Sequence, residues 1–209
     1  MIDRLKVGDL LFIEIDNFLY RRVAAVSRVW PSHVGIVQAV DSGEATIAES
    51  AFPRTRLTGL SRFLARSRQR RVCVRRLGDG LTLAQEAALR AAIETRLGAP
   101  YHAGFDYAGP KQFCSKFVYD VFREALGVEI GRRQTFADLL AENAEAPTLF
   151  WRIWFLGAIP WQRVTITPAS QYRDAGLTTV HESAEPAPAA WRQPRSAAAA
   201  ASTALPDQR

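Results

Sequence analysis

The chain has 209 residues, 48% hydrophobic and 23% charged, a composition that suits one folded domain with a full core and excludes a disordered or fibrous chain. Its net charge is +6, and all but Lys6, Lys111 and Lys116 of its 27 basic residues are arginine. No nucleic-acid-binding motif accompanies that charge, so a nucleic-acid partner is not expected, while peripheral contact with an anionic surface stays open.

In chain order, the N-terminus MIDRLKVGDLLFIEI carries Asp3 and only a short apolar run, which is no signal peptide. Residues 8–15 read as a first strand entered through Gly8-Asp9, and residues 17–29 as a short helix stopped by Pro31. Three strand-like segments follow, at 33–40, 46–50 and 71–76. The turn Asp41-Ser42-Gly43 joins the first two into a hairpin, and a short helix is expected at 58–66. Cys73 lies in the alternating run Arg71–Arg75, on a face read as lacking a cation. A helix begins at Thr82, with Leu83, Ala87, Leu89 and Ile93 as its apolar marks and Gly98 at its end. The Gly/Pro-bearing loop 99–112 leads into a helix at 113–126 that ends at Gly127, and a further turn is expected at 138–143. The apolar window 148–161 contains Arg152 and Pro160 and falls short of a spanning helix. Its aromatic residues are read as core or as a covering loop. From about Ser183 the Ala/Pro-rich composition is that of a disordered tail. The expectation is an α+β domain over residues 1–182, a tail over 183–209, and a cytoplasmic location.

The segment with most chemical content is QFCSKFVYDVFREALG. Cys114, Phe117, Val118, Val121, Phe122 and Ala125 recur at helical spacing and make one stripe with Cys114 in its first turn. There the helix dipole and unpaired amides favour a thiolate and an oxyanion. A small apolar residue starting a buried helix is the alternative. His33 opens the second strand, with Gly35 on its face clearing space for a neighbour. A strand histidine is commonly a structural hydrogen-bonder, but Cys–His pairing is a recurrent route to a thiolate. Glu49, on the partner strand of the hairpin, is expected at a partly exposed position from which a carboxylate reaches the imidazole; a surface charge is the alternative. His102, in the loop before Cys114, is read as a surface histidine, with a place lining the same cleft as the alternative; His181 receives no role. No HExxH or paired CxxC spacing occurs and no phosphate-binding loop, so neither metal nor cofactor is expected.

Taken together, Gly8-Asp9-Leu10-Leu11-Phe12, Ser32-His33-Val34-Gly35-Ile36-Val37, Ile47-Ala48-Glu49, Gly98-Ala99-Pro100-Tyr101 and Phe113-Cys114-Ser115-Lys116-Phe117-Val118-Tyr119 resemble the circularly permuted branch of the NlpC-type cysteine peptidase superfamily, in its YiiX/YebB-like members. Thr167-Pro168-Ala169-Ser170 is similar to the family's closing segment. The resemblance implies a permuted papain-like fold, an antiparallel sheet or small barrel packed against helices. It implies Cys114 as nucleophile, His33 as base, Glu49 as the residue orienting it, and Tyr101 at the oxyanion site. With Ser32 and Ser115, Tyr101 makes up the expected oxyanion and substrate cleft. Lys116 departs from the Gly or Glu common in relatives. The expected activity is a cysteine hydrolase acting on a peptide, amide or acyl-lipid substrate through a thioester. A lipid acyltransferase and a non-catalytic acyl-binding module using the same cleft are the alternatives.

Overall fold

The computed structural model describes residues 2–17, 20, 29–41, 43–142 and 148–183. Most of the expected helix at 17–29, and nearly all of the expected tail, lie outside them. Strand β1 (Leu10–Ile15) is apolar on both sides because both of its faces are covered. It pairs antiparallel with β2 (His33–Asp41), Leu11 opposite Gly35, and with β5 (Ser67–Leu77), Phe12 opposite Cys73. The expected hairpin is present: β3 (Glu44–Ala51) returns along β2, with Asp41 opposite Glu44 at the turn.

The expected helix at 58–66 is present, starting two residues later. Residues Arg54–Gly59 form a strand, β4, paired to β3 with Glu49 opposite Arg56, and only Leu60–Ala65 coil into helix α1. Strand β8 (Leu177–Glu182), which the sequence reading also missed, pairs with β5. The order β4-β3-β2-β1-β5-β8 leaves β4 and β8 as edges, so the fold is an open antiparallel sheet rather than a closed barrel.

Strand alternation sends Leu10, Phe12, Val34, Ile36 and Cys73 to one face. There α2 (Leu83–Glu94) and α3 (Cys114–Leu126) cover them with Leu89, Ile93, Phe117, Val118, Val121 and Phe122. Leu11, Ile13, Val37, Ile47, Val72 and Val74 face the other way, against Leu60 and Phe63 of α1. Gly35 is required by that packing: a Cβ there would stand 2.6 Å from Ile47 and 2.9 Å from Phe63. Helix α2 starts on a Thr82–Gln85 capping box, and α3 ends at Gly127 in the left-handed region, φ +69°.

The rest of the chain builds a third, aromatic core beside the start of α3. It joins Tyr101, Phe105 and Phe113 of the loop to α4 (Phe136–Ala141), α5 (Thr148–Trp154) and Ile166. A two-stranded ladder, β6 (Gln134–Thr135) with β7 (Val164–Thr165), and the short helix α6 (Pro168–Tyr172) close this region. Trp151 is buried there, so the expectation of core for the aromatic segment holds for this residue.

Candidate active site

Cys114 and His33 each open an element, α3 and β2, and the two starts meet at one end of the sheet. Helix α3 has no side-chain cap at Phe113, so nothing from its cap residue screens the positive end of the helix from Cys114. His33 is fully buried. Its ring stands edge-on to Tyr20 at 5.7 Å and tilted against Phe63 at 5.8 Å, which fixes the imidazole plane. Its Nε2 lies 2.7 Å from Glu49 Oε2. The other ring nitrogen, Nδ1, has no oxygen or nitrogen partner among the described residues. Burial by itself would push the imidazole pKa down. Hydrogen bonding and charge from Cys114 and from Glu49 outweigh it and hold the pKa above the ordinary histidine value.

Glu49 is not the partly exposed residue expected from the sequence; it is fully buried. Its inward turn follows from the pairing register, which places Ala48 opposite Ile36 and leaves Glu49 on the side of the sheet that carries His33. Both carboxylate oxygens are saturated. Oε1 accepts from Thr58 Oγ1 at 2.8 Å and Arg56 Nε at 3.2 Å; Oε2 accepts from Arg66 Nη2 at 2.6 Å besides meeting His33. Burial works against ionisation here, but His33 and Arg66 hold the carboxyl well below the usual carboxylate range. Arg56, Thr58 and Arg66 were not among the sequence candidates. Arg56 and Thr58 lie on β4, which the sequence reading did not see.

On the far side of Cys114 lies a narrow cleft that opens to solvent. Cys114, Ser115, Ser32, Tyr20 and Tyr101 border it at one end; Phe105, Phe113, Phe136, Leu139, Trp151 and Ile166 make it apolar beyond. Tyr101 is placed by backbone bonds that tie the loop to the β3–β4 turn: its N–H donates to Pro53 O, and Thr55 N–H donates to Ala99 O, both at 2.9 Å. Burial pushes the phenol pKa of Tyr101 up, and the neighbouring Tyr20 and Cys114 add to it; burial does the same to Tyr20. Both hydroxyls therefore keep their protons and stay donors.

Ser32 and Ser115 line the cleft, but their hydroxyls are engaged with backbone. Ser32 Oγ accepts from Ile15 N–H at 2.9 Å, and Ser115 Oγ donates to Ile166 O at 2.9 Å. Ser115 thus braces the start of α3 against the aromatic core and has no proton left for an oxyanion. His102 does not line the cleft; its Nδ1 accepts from Gly104 N–H at 2.9 Å.

Cys73 is buried in the sheet, and the expectation that no cation shares its face is wrong: Arg71 and Arg75 both act on it. Burial, reinforced by Glu182, nevertheless pushes its thiol up to about 12.

The sequence profile of the permuted papain-like amidase enzymes, the YaeF/YiiX or C92 family, matches residues 4–181. The uncharacterised protein YiiX of Escherichia coli strain K12 is 24% identical over 177 residues, 84% of this chain and 85% of its own. The crystal structure described as the metalloprotein yiiX from Escherichia coli O157:H7 superposes with a TM-score of 0.77 at 22% identity. That match covers 86% of this chain and 98% of the other, and it shows a shared fold. Among the described residues here, no group of three or more His, Cys, Asp or Glu side chains is arranged to hold a metal ion.

Proposed function

Because this chain belongs to the permuted papain-like amidase family, we propose that it cleaves an amide through a thioester on Cys114, with His33 as acid–base and Glu49 as its positioning residue. The observation that carries this reading is the fixed imidazole. Glu49 holds Nε2 at 2.7 Å, which leaves Nδ1 as the nitrogen for the Cys114 thiol.

In the forward step the thiol proton passes to Nδ1 and Sγ attacks the amide carbonyl carbon. The oxyanion that develops is met by the amide at the start of α3 and by the Tyr101 hydroxyl. The C–N bond breaks as the imidazolium returns its proton to the leaving nitrogen. Water, deprotonated by the same imidazole, then attacks the thioester, releases the acid and restores the thiol. Glu49 stays ionised throughout and stabilises the imidazolium between the two transfers.

A second reading, acyl transfer to an alcohol or amine, draws on the apolar lining of the cleft, which suits a lipid acyl chain. A non-catalytic acyl-binding module would use the same lining without the chemistry. Incubation with amide and acyl-ester libraries, followed by intact-mass spectrometry, separates the three. An acyl adduct on Cys114 that turns over to free acid is the expected result. An adduct that resolves only onto an added amine or alcohol supports transfer. Reversible binding unchanged in Cys114→Ala leaves the module.

A further inference from the structure

Helix α5 has two contrasting faces. Trp151 points inward, is buried and lines the cleft, edge-on to Phe105 at 6.3 Å and to Phe136 at 6.1 Å. On the opposite side, Leu149 is 71% and Ile153 68% exposed, and Leu156, just past the helix, is 96% exposed. These three recur at i, i+4 and i+7, so they form one outward stripe, flanked by the exposed Trp154 and Trp161. Nothing among the described residues covers it.

Leu156 is unfavourable twice over. It occupies the left-handed region at φ +55°, closing α5 with the Gly157 N–H to Arg152 O bond of a Schellman turn, a position that glycine or asparagine normally fills. A leucine there neither packs into this protein nor suits its backbone, so its value lies in what it meets outside.

Two observations select the occupant. Between Thr148 and Val164 the only charged residues are Arg152, which is exposed, and Arg163, whose guanidinium donates to Gly104 O and lies 4.0 Å from Asp106; with the whole chain at +6, the surface that complements this face is apolar and anionic. One seven-residue helix and its turn fall short of the roughly 800 Å² each partner gives to a stable protein complex, whereas an apolar stripe with a basic flank suffices to lie in a lipid headgroup layer. Trp154, whose indole N–H donates to Ala103 O, is already fixed with part of its ring exposed.

We propose that this face docks the protein on an anionic lipid surface, with α5 as a wall one side chain thick between the bilayer and the apolar cleft. The docking deepens the acyl-substrate reading, since it sets the cleft beside lipid, but it does not depend on the catalytic assignments.

The test is flotation of the full chain with vesicles of phosphatidylcholine alone and of phosphatidylcholine with phosphatidylglycerol. Binding should be several-fold tighter to the anionic vesicles, and the difference should shrink in high salt and in Arg152→Gln. The double variant Ile153→Asn/Leu156→Gly should bind about tenfold or more weakly. Leu156→Gly alone should weaken binding without lowering the melting temperature, because glycine suits the left-handed turn, so its loss cannot be laid to misfolding. Cys114→Ala should bind like the wild type, which separates this proposal from the amidase reading. Absence of binding to the anionic vesicles, or a double variant that binds unchanged, would overturn it. So would a lipid-free dimer that the double variant abolishes, which would make the occupant a second copy of the chain.

Discussion

The two sides of Cys114 are built on opposite principles. Toward β2, β3 and β4 the protein is charged and saturated: a buried carboxylate with four partners, two of them guanidinium groups, holding one imidazole. Toward α4 and α5 it is apolar and has free space, bounded by rings rather than by hydrogen bonds. A group that must keep one orientation while it takes up and returns a proton needs directional bonds, whereas a cleft that receives part of a substrate needs dispersion and room. Changes on the charged side should therefore act on turnover and on folding, and changes on the apolar side on substrate affinity.

The largest effects should come from the charged side. His33→Ala should lower turnover by about a thousandfold or more, with little change in substrate binding, since in the proposed mechanism the imidazole acts on protons and not on the acyl group. Glu49→Gln should do two things at once. All four partners of the carboxylate donate, so whichever way the amide turns, its NH2 must face donors. A cost of about 3 kcal/mol in stability is expected, together with slower turnover. The pH dependence gives the sign. The folded-state pKa of Glu49 is depressed, so its contribution is present above the unfolded carboxylate value of about 4.3 and is lost as pH falls below that toward the folded value. Thermal melts between pH 7 and pH 3 should show a steeper acid loss in the wild type than in Glu49→Gln. Parallel curves would mean that the carboxyl titrates in the folded protein as it does in the unfolded chain, so that its partners do not favour the ionised form.

This half of the site was only partly legible in the sequence. The stripe from Cys114 to Ala125 and the stop at Gly127 define α3 because periodicity and a left-handed cap are local signals. The hairpin joining His33 to Glu49 was legible from Asp41-Ser42-Gly43 for the same reason. What could not be read was burial. Glu49 looks like an edge charge until β4 is added outside β3, and β4 was missed because Thr58 resembles a helix N-cap. The strand's buried positions, Thr55 and Thr58, are also polar and three apart, so they show neither the apolar residues nor the period-two pattern that marks a core strand. The apolar side was less legible still. Its apolar residues come from the loop, α4, α5 and the segment before α6, and no sequence period links them.

On that apolar side Trp151→Ala should raise KM for a substrate with an apolar acyl group by about tenfold while leaving the rate of Cys114 alkylation within about twofold of the wild type. The ring lines the cleft among Phe105, Phe136 and Phe155, in the aromatic core and not in the hydrogen-bonded cluster around Glu49. An alkylation rate that fell together with affinity would show that the two sides are coupled, and the division drawn at Cys114 would not stand.

The smallest effect expected is at Arg66, and it sharpens the comparison by asking whether the charged side positions His33 or also tunes it. Arg66 Nη2 shares Glu49 Oε2 with the imidazole, at 2.6 Å against 2.7 Å. Its positive charge therefore opposes a second positive charge on His33, while its hydrogen bond draws on the same acceptor. In Arg66→Gln the carboxylate serves the imidazole with less competition, and the imidazolium should gain stability. Arg66 is partly open to solvent, so screening keeps the upward shift of the His33 pKa small. The limb of the pH–rate profile that follows the imidazole should move to higher pH by the same small amount, and the His33 ring resonances in an NMR titration should move with it. A brace without electrostatic influence would change the melting temperature and leave both curves where they are in the wild type. A downward shift would mean that Arg66 matters chiefly by keeping Glu49 in place, since the imidazole would then have lost its anionic partner.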